Sequence, residues 1–486
     1  MIRVGTKYRH LLGSGGCACH SPQIDRVTQR LTAFNRRGFL AGLASAAAIA
    51  GLPGPALAQA PSQGSSAPGK RLFRKVRLFD GKADSLRDAQ VLVEGNRIAA
   101  VDFTNSAPPA DAKIIDCGSR VMTPGLIDAH WHALFAALPL QTLLNADPGY
   151  IALAATVESR NTLLRGFTTV RDLGGPVFPF KQAIDDGLVA GPRIYPSGPM
   201  ITTTGGHGDM RSLSDLPRVP GGPLSAVERT GGAAIADNEG EVRLRAREQL
   251  LQGASQLKLV AGGGVSSPRS PLDMTTFSPA ELGAAVGVAR DWNTYVAAHA
   301  YAPQTIKRAI AAGVACIEHA HLMDDEAAQM MADKGVWLSI QPFLSEADVP
   351  PMAGPSREKA LEVIAATPGA YELARKHGLK TAFGSDLLFS AALTPRQGRM
   401  LAHLARWHSN ADVLKMATSV NGELLALSNK RNPYPGKLGL IEAGAYADLL
   451  VFDGNPLDNI DLVATPETSL ALIMKDGVEV RNLLPA

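Results

Sequence analysis

Cysteine is scarce, with four residues among 486. They are too few and too scattered for a disulfide framework, and Cys17 and Cys19 fall in a segment read below as removable. Cys117 and Cys316 then read as small buried residues. An excess of one charge is also missing: 48 Lys and Arg stand against 45 Asp and Glu, a net charge of +3. The basic residues are scattered rather than gathered in a stripe, so nothing resembles a nucleic-acid footprint. The apolar run that ends near Leu52 is too short to span a bilayer. No Gly-x-Gly-x-x-Gly turn opens a helix after the first apolar strand, which puts a doubly wound open sheet second among the candidate architectures. What is plentiful is core. With 45% hydrophobic and 19% charged residues and a mean hydropathy of +0.02, the chain reads as a soluble globular protein with one large domain and a smaller one.

The first 58 residues read as an address. Asn35-Arg36-Arg37-Gly38-Phe39-Leu40 precedes an uncharged, Ala-rich run and then Ala56-Leu57-Ala58. Paired arginines, a moderately apolar core and a small-x-small cleavage site describe a twin-arginine export signal. The mature chain is expected to begin near Gln59, with a Pro/Ser/Gly linker over 59–70, and to work in the periplasm or outside the cell.

Residues 71–122 carry short alternating strands such as Leu72 to Phe79, separated by Asp80-Gly81 and Glu94-Gly95-Asn96. Residues 432–486 repeat that texture, so the two ends are expected to build one small β-sandwich. Between them, over 123–431, strand and helix patterns alternate. Apolar strand candidates fall at 125–130, 167–172, 193–198, 256–260, 295–299, 315–319, 336–341 and 380–385, with helical runs at 241–252, 279–290, 303–312 and 357–377. Eight βα units over about three hundred residues predict an α/β fold, a (β/α)8 TIM barrel.

In such a barrel the chemistry sits at the C-terminal ends of the strands. The first strand ends in His130-Trp131-His132, and alternation along a strand puts both imidazoles on one face. That is half of a metal site. Lys258 lies in the fourth strand, His299 ends the fifth, His319 the sixth, and Asp386 follows the eighth. A single inward histidine is usually an ordinary core residue, whereas these six positions together form a constellation.

The stretches that carry it are 124–132 (Pro-Gly-Leu-Ile-Asp-Ala-His-Trp-His), 166–172 (Gly-Phe-Thr-Thr-Val-Arg-Asp), Ala298-His299-Ala300-Tyr301, Ile317-Glu318-His319, Gly384-Ser385-Asp386 and 444–449 (Gly-Ala-Tyr-Ala-Asp-Leu). With them the mature chain resembles the metal-dependent amidohydrolase superfamily. Within it, the chain is most similar to the prolidase-like and Xaa-Arg-dipeptidase-like group, also labelled imidazolonepropionase-like, which includes ochratoxin-hydrolysing amidases. The resemblance implies two divalent metal ions, zinc by default, bridged by a carbamate on Lys258. His130, His132 and Asp386 would hold one ion and His299 and His319 the other. A metal-bridging hydroxide would attack an amide, with Asp386 carrying the proton to the leaving nitrogen.

The implied substrate is a dipeptide, N-acyl amino acid or ochratoxin-like amide, cleaved at the bond to a C-terminal amino acid. Lactones, cyclic amides and phosphotriesters are the alternative on the same site, and a metal-holding binding protein is the alternative outside enzymes. Loops 200–240 and 261–277 are long for βα connections, which suggests a lid or pocket wall. Candidates to meet a substrate carboxylate are His207 in the glycine-rich loop 202–209, Tyr301, and Arg269 in the fourth loop. Phe135, Leu138, Phe343 and Leu344 are candidates for an apolar wall. The expected partner is a small-molecule or dipeptide substrate, without nucleic acid or membrane once the leader is removed, and the expected assembly is a homo-oligomer.

Overall fold

A computed structural model describes residues 69–219 and 221–484. The segment expected to be a twin-arginine leader and nearly all of the expected linker lie outside the described residues. Among the described residues, no helix is long and apolar enough to cross a membrane.

Four strands open the chain: β1 (Arg71–Leu78), β2 (Arg87–Glu94), β3 (Arg97–Asp102) and β4 (Lys113–Pro124). β1 pairs antiparallel with β2 and parallel with β4. Strict alternation would send Phe73 and Val76 to opposite faces. A bulge between them, where Lys75 takes a φ of 52°, lets both be buried.

The middle of the chain is α/β with parallel sheets. β5 (Leu126–Trp131), β6 (Phe167–Asp172) and β7 (Arg193–Pro196) form one. The other comprises β8 (Ile201–Thr202), β9 (Ala234–Ile235), β10 (Leu257–Val260), β11 (Val296–Ala300), β12 (Cys316–His319), β13 (Trp337–Ile340) and β14 (Thr381–Phe383), in the order β14-β13-β12-β11-β10-β8-β9. Every residue of β5, β6, β7 and β10 to β13 is buried. Strands covered on both faces are rich in apolar residues, and here these are interrupted by Asp128, Arg171, Asp172, Lys258 and Glu318. β8 and β9 were not expected, because two-residue strands leave no periodicity. Both edges of the three-stranded sheet touch the other sheet: the Asp386 N–H, just after β14, donates to the His130 carbonyl of β5 at 2.8 Å, and the Ser255 N–H, just before β10, to the Pro196 carbonyl of β7 at 2.8 Å.

Helices follow the strands, among them Glu239–Leu251, Pro279–Asp291, Pro303–Ala311, Asp325–Lys334 and Gly354–Lys376. Ser278 caps the second of these: its hydroxyl accepts from the Glu281 N–H, and the Glu281 carboxylate accepts from the Ser278 N–H at 2.7 Å. Proline in the first turn completes a start signal visible in the sequence.

The chain ends with β15 (Leu449–Phe452), β16 (Leu470–Lys475) and β17 (Val478–Asn482). They join the first four strands in one seven-stranded sheet, β17-β16-β15-β4-β1-β2-β3. Where a two-sheet sandwich was expected, the hydrogen-bond ladder is unbroken. The cause is β4, whose 12 residues are long enough to pair with β1 up to Met122 and with β15 from Val121 to Pro124. Phe73, Val91, Cys117, Met122, Leu449, Val451 and Leu472 from both ends share one core.

Candidate metal centre

The end of β5 presents His130 and His132 on one side, as alternation requires. Their Nε2 atoms lie 3.3 and 3.2 Å from the same carboxylate oxygen, Asp386 Oδ1. Hydrogen bonds on the far sides of the rings set the tautomers. His130 Nδ1 is 2.9 Å from Glu318 Oε2, and His132 Nδ1 is 3.4 Å from the Gly174 carbonyl. Both partners are acceptors, so each Nδ1 carries the proton and each Nε2 keeps a bare lone pair. His319 donates from Nδ1 to Gln341 Oε1 at 2.7 Å, and His299 from Nε2 to the Gly263 carbonyl at 2.8 Å.

Three acceptor atoms therefore crowd one point, an arrangement that repels itself until a cation or a proton enters. One ligand atom from each of His130, His319 and Asp386 lies within 4.8 Å of the others. The His299 and His319 ring centroids are 4.3 Å apart. Imidazole and carboxylate are the donor types that suit a divalent transition metal, so the residues fit such an ion. Burial, ahead of any neighbouring charge, holds His130, His299 and His319 well below the ordinary histidine pKa. Burial also draws Lys258 down from the ordinary lysine value. Neutral imidazole is the form that ligates.

Two positions bend to make this geometry. Asp386 has a φ of 51° and His319 a φ of 77°, left-handed values that non-glycine residues seldom adopt and that recur at functional sites. Simple alternation along β12 would separate Glu318 from His319. The turn at His319 lets both reach His130, whose ring centroid is 4.9 Å from that of His319.

Glu318 is a functional residue the sequence reading missed. It is fully buried and takes 2.7 Å hydrogen bonding from Arg171 Nη2, while Arg171 Nε donates to the Ala129 carbonyl at 2.6 Å. Arg171, Glu318 and His130 thus form a chain running beneath the site. The available signal was an ionisable residue within each of two fully buried strands, Arg171 in β6 and Glu318 in β12. Gln341 was missed as well and offers no comparable signal, since an amide beyond a strand end is ordinary.

All six constellation residues line a cavity of about 160 Å³, together with His207 and Tyr301. His207 stacks on His299 with centroids 4.6 Å apart, and burial lowers its pKa to about 3, with the Lys258 charge adding to the shift. Phe135 and Phe343 are part of the apolar wall, joined by Leu143, Ile151, Val265 and Phe389. Three expectations fail here. Arg269 does not line the cavity, and neither do Leu138 and Leu344. In the fourth loop Ser267 and Ser270 are buried while Pro268 and Arg269 between them are exposed, so the guanidinium sits on the outer side. His321 is buried, its Nε2 donating to the Gln341 carbonyl at 2.9 Å.

Buried imidazoles and a carboxylate at the ends of parallel strands describe a class, the metal-using α/β hydrolases. Comparison with known proteins narrows it. Residues 121–480 match the amidohydrolase family, and the chain belongs to that family. It is 28% identical to ochratoxinase of Aspergillus niger over 407 residues, covering 80% of this chain and 82% of that protein. A crystal structure of a prolidase complexed with N-methylphosphonate-L-proline superposes with a TM-score of 0.78 at 34% identity, covering 85% of this chain and 100% of that one. A Xaa-Pro dipeptidase crystallised with methionine in its active site gives 0.71 at 28% identity, with 84% and 99% covered. This protein is accordingly a hydrolase acting on amide or peptide bonds. Its family is generally metal-dependent, and the His130, His319 and Asp386 cluster is a possible metal-binding site.

Proposed function

We propose that this protein is a two-metal amidase, exported by the twin-arginine route, that releases a C-terminal amino acid from a dipeptide, an N-acyl amino acid or an ochratoxin-like amide. The two parallel sheets are then one closed (β/α)8 barrel whose mouth is the cavity. The observation that carries this reading is the aim of two histidine lone pairs at one oxygen of Asp386, with a neutral-leaning Lys258 buried beside them.

His130, His132 and Asp386 would hold one cation, and His299 and His319 the other. Lys258, as its neutral amine, would add carbon dioxide, release one proton to solvent and become an anionic carbamate able to serve as a further ligand. Zinc suits the donor set, and such a pair supplies Lewis acidity that activates water and polarises the scissile carbonyl. Asp386, whose side chain is 16% exposed, is the one ligand open enough to take a proton from the attacking water and return it to the leaving nitrogen. Tyr301 and His207 bind the substrate carboxylate by hydrogen bonds, because no arginine lines the cavity among the described residues. The apolar wall takes a bulky or aromatic group and excludes water around the reacting bond.

The test is a panel of dipeptides, N-acyl amino acids, lactones and phosphotriesters assayed on enzyme of measured metal content, each amide offered as free acid and as carboxamide. Free acids with apolar side chains should be cleaved fastest. Equal rates for acid and carboxamide would remove the carboxylate pocket and turn the search to lactones.

A further inference from the structure

Lys359 lies in the helix Gly354–Lys376, after β13, yet its ammonium is seated in the loop that follows β10. Its Nζ donates to the carbonyls of Gly264 at 2.6 Å, Ser267 at 2.6 Å and Ser270 at 3.0 Å. An ammonium has three protons, so this seat satisfies it completely. The contact spans two βα units that are not neighbours, since β11 and β12 lie between β10 and β13. Ala360 and Val363 of the same helix, and Val265 and Ser266 of the same loop, line the cavity.

The loop held in this way touches two of the site's histidines. The Gly263 carbonyl takes the Nε2 proton of His299. Ser267 Oγ lies 2.9 Å from His207 Nδ1 and accepts the Gly208 N–H at 3.1 Å. The hydroxyl has one proton to give, and His207 Nδ1 at 2.9 Å is a far nearer acceptor than Met210 Sδ at 4.0 Å; with the proton given to Nδ1, Nε2–H is left as a donor. The fit is close: a Cβ on Gly264 would fall 2.4 Å from the His207 ring.

We infer that Lys359 is a positioning residue which, through the carbonyls of Gly264, Ser267 and Ser270, fixes the loop that presents His207 Nε2–H to the substrate carboxylate. The specificity half of this inference rests on the reading of His207 as a carboxylate contact, and the loop-tethering half does not.

The tether makes Arg269 a built-in reporter. It is exposed, but the buried serines on either side keep its backbone out of a protease cleft. In the full-length, metal-loaded protein, Lys359→Met should be cut by trypsin after Arg269 at least roughly tenfold faster than wild type, the scale of a lost charge-assisted hydrogen bond. Lys359→Gln serves the same purpose should the Met variant not fold. In Lys359→Ala, n-propylammonium should restore resistance, whereas tetramethylammonium, of equal charge but without N–H groups, should not. Wild-type resistance in the Met or Gln variant, or equal rescue by both ions, overturns the tether. On N-acyl amino acids, Lys359→Met should raise KM for the free acid by roughly tenfold with kcat and metal content little changed, and should leave the carboxamide alone. A fall in kcat at constant KM overturns the positioning role. Should His207→Ala leave KM unchanged, the carboxylate reading fails while the trypsin result still judges the tether.

Discussion

Removing either member of the buried Arg171 and Glu318 pair should cost far more than removing both. Both side chains are fully buried and are joined at 2.7 Å. Arg171→Met leaves the Glu318 carboxylate without its cation, and Glu318→Gln leaves a buried guanidinium without its anion. Breaking a buried pair from one side costs about 3–5 kcal/mol, whereas replacing both partners with neutral groups of similar size is often close to neutral. For the roughly 400 residues described, the single changes correspond to a fall of roughly 3–6 °C in the unfolding midpoint. The assay is thermal unfolding of metal-stripped protein for wild type, both single variants and the double variant, so that metal release does not enter the midpoint. The double variant should lie nearer to wild type than either single one, which for single losses of about 3–5 kcal/mol means a coupling of at least about 3 kcal/mol. Additive losses would refute the argument, because they would mean that each charge is stabilised by something other than its partner.

Two further changes probe the centre itself. Lys258→Ala should lose metal by elemental analysis and most activity, and a short-chain carboxylic acid with added metal should restore part of it; full activity without additive would sink the two-metal reading. Asp386→Asn should keep much of its metal while turnover falls by at least about 10²-fold, the usual contribution of general acid–base catalysis, and unchanged turnover would take Asp386 out of the proton path.

Much of this was legible because the parallel strands are buried on both faces. Phe167 and Val170, and Leu257, Leu259 and Val260, announced β6 and β10, and polar residues at strand ends stood out against them. What escaped was whatever depends on backbone bending or on long-range contact. A left-handed His319 cannot be read from a strand pattern, so Glu318 seemed to face away from its own neighbour's work. Arg269 looked like a pocket residue because loop membership says nothing about which side of the loop a side chain takes. Lys359 gave no sign at all, since a lysine in a helix is the ordinary surface residue and its three acceptors lie about ninety residues earlier. The unbroken seven-stranded ladder has the same origin: β4 continues past the point where texture suggested a boundary.

That long β4 also sets a clock. Its last residues, Val121 to Pro124, run directly into the histidine-bearing β5, and they pair with β15, while the Gly125 N–H donates to the Asp448 carbonyl at 2.9 Å. Arg193, at the start of β7, is held by Asp448 and Asp476. These partners leave the ribosome roughly 300 residues after β4, which at 5–20 residues per second is roughly 15 to 60 s. For that interval one edge of β4 stands open, able to pair with the wrong strand, and the base of the histidine strand hangs without its anchor. Completion of the site is therefore a late event in the life of the nascent chain, decided by residues 448–476 and not by the motif that contains the histidines.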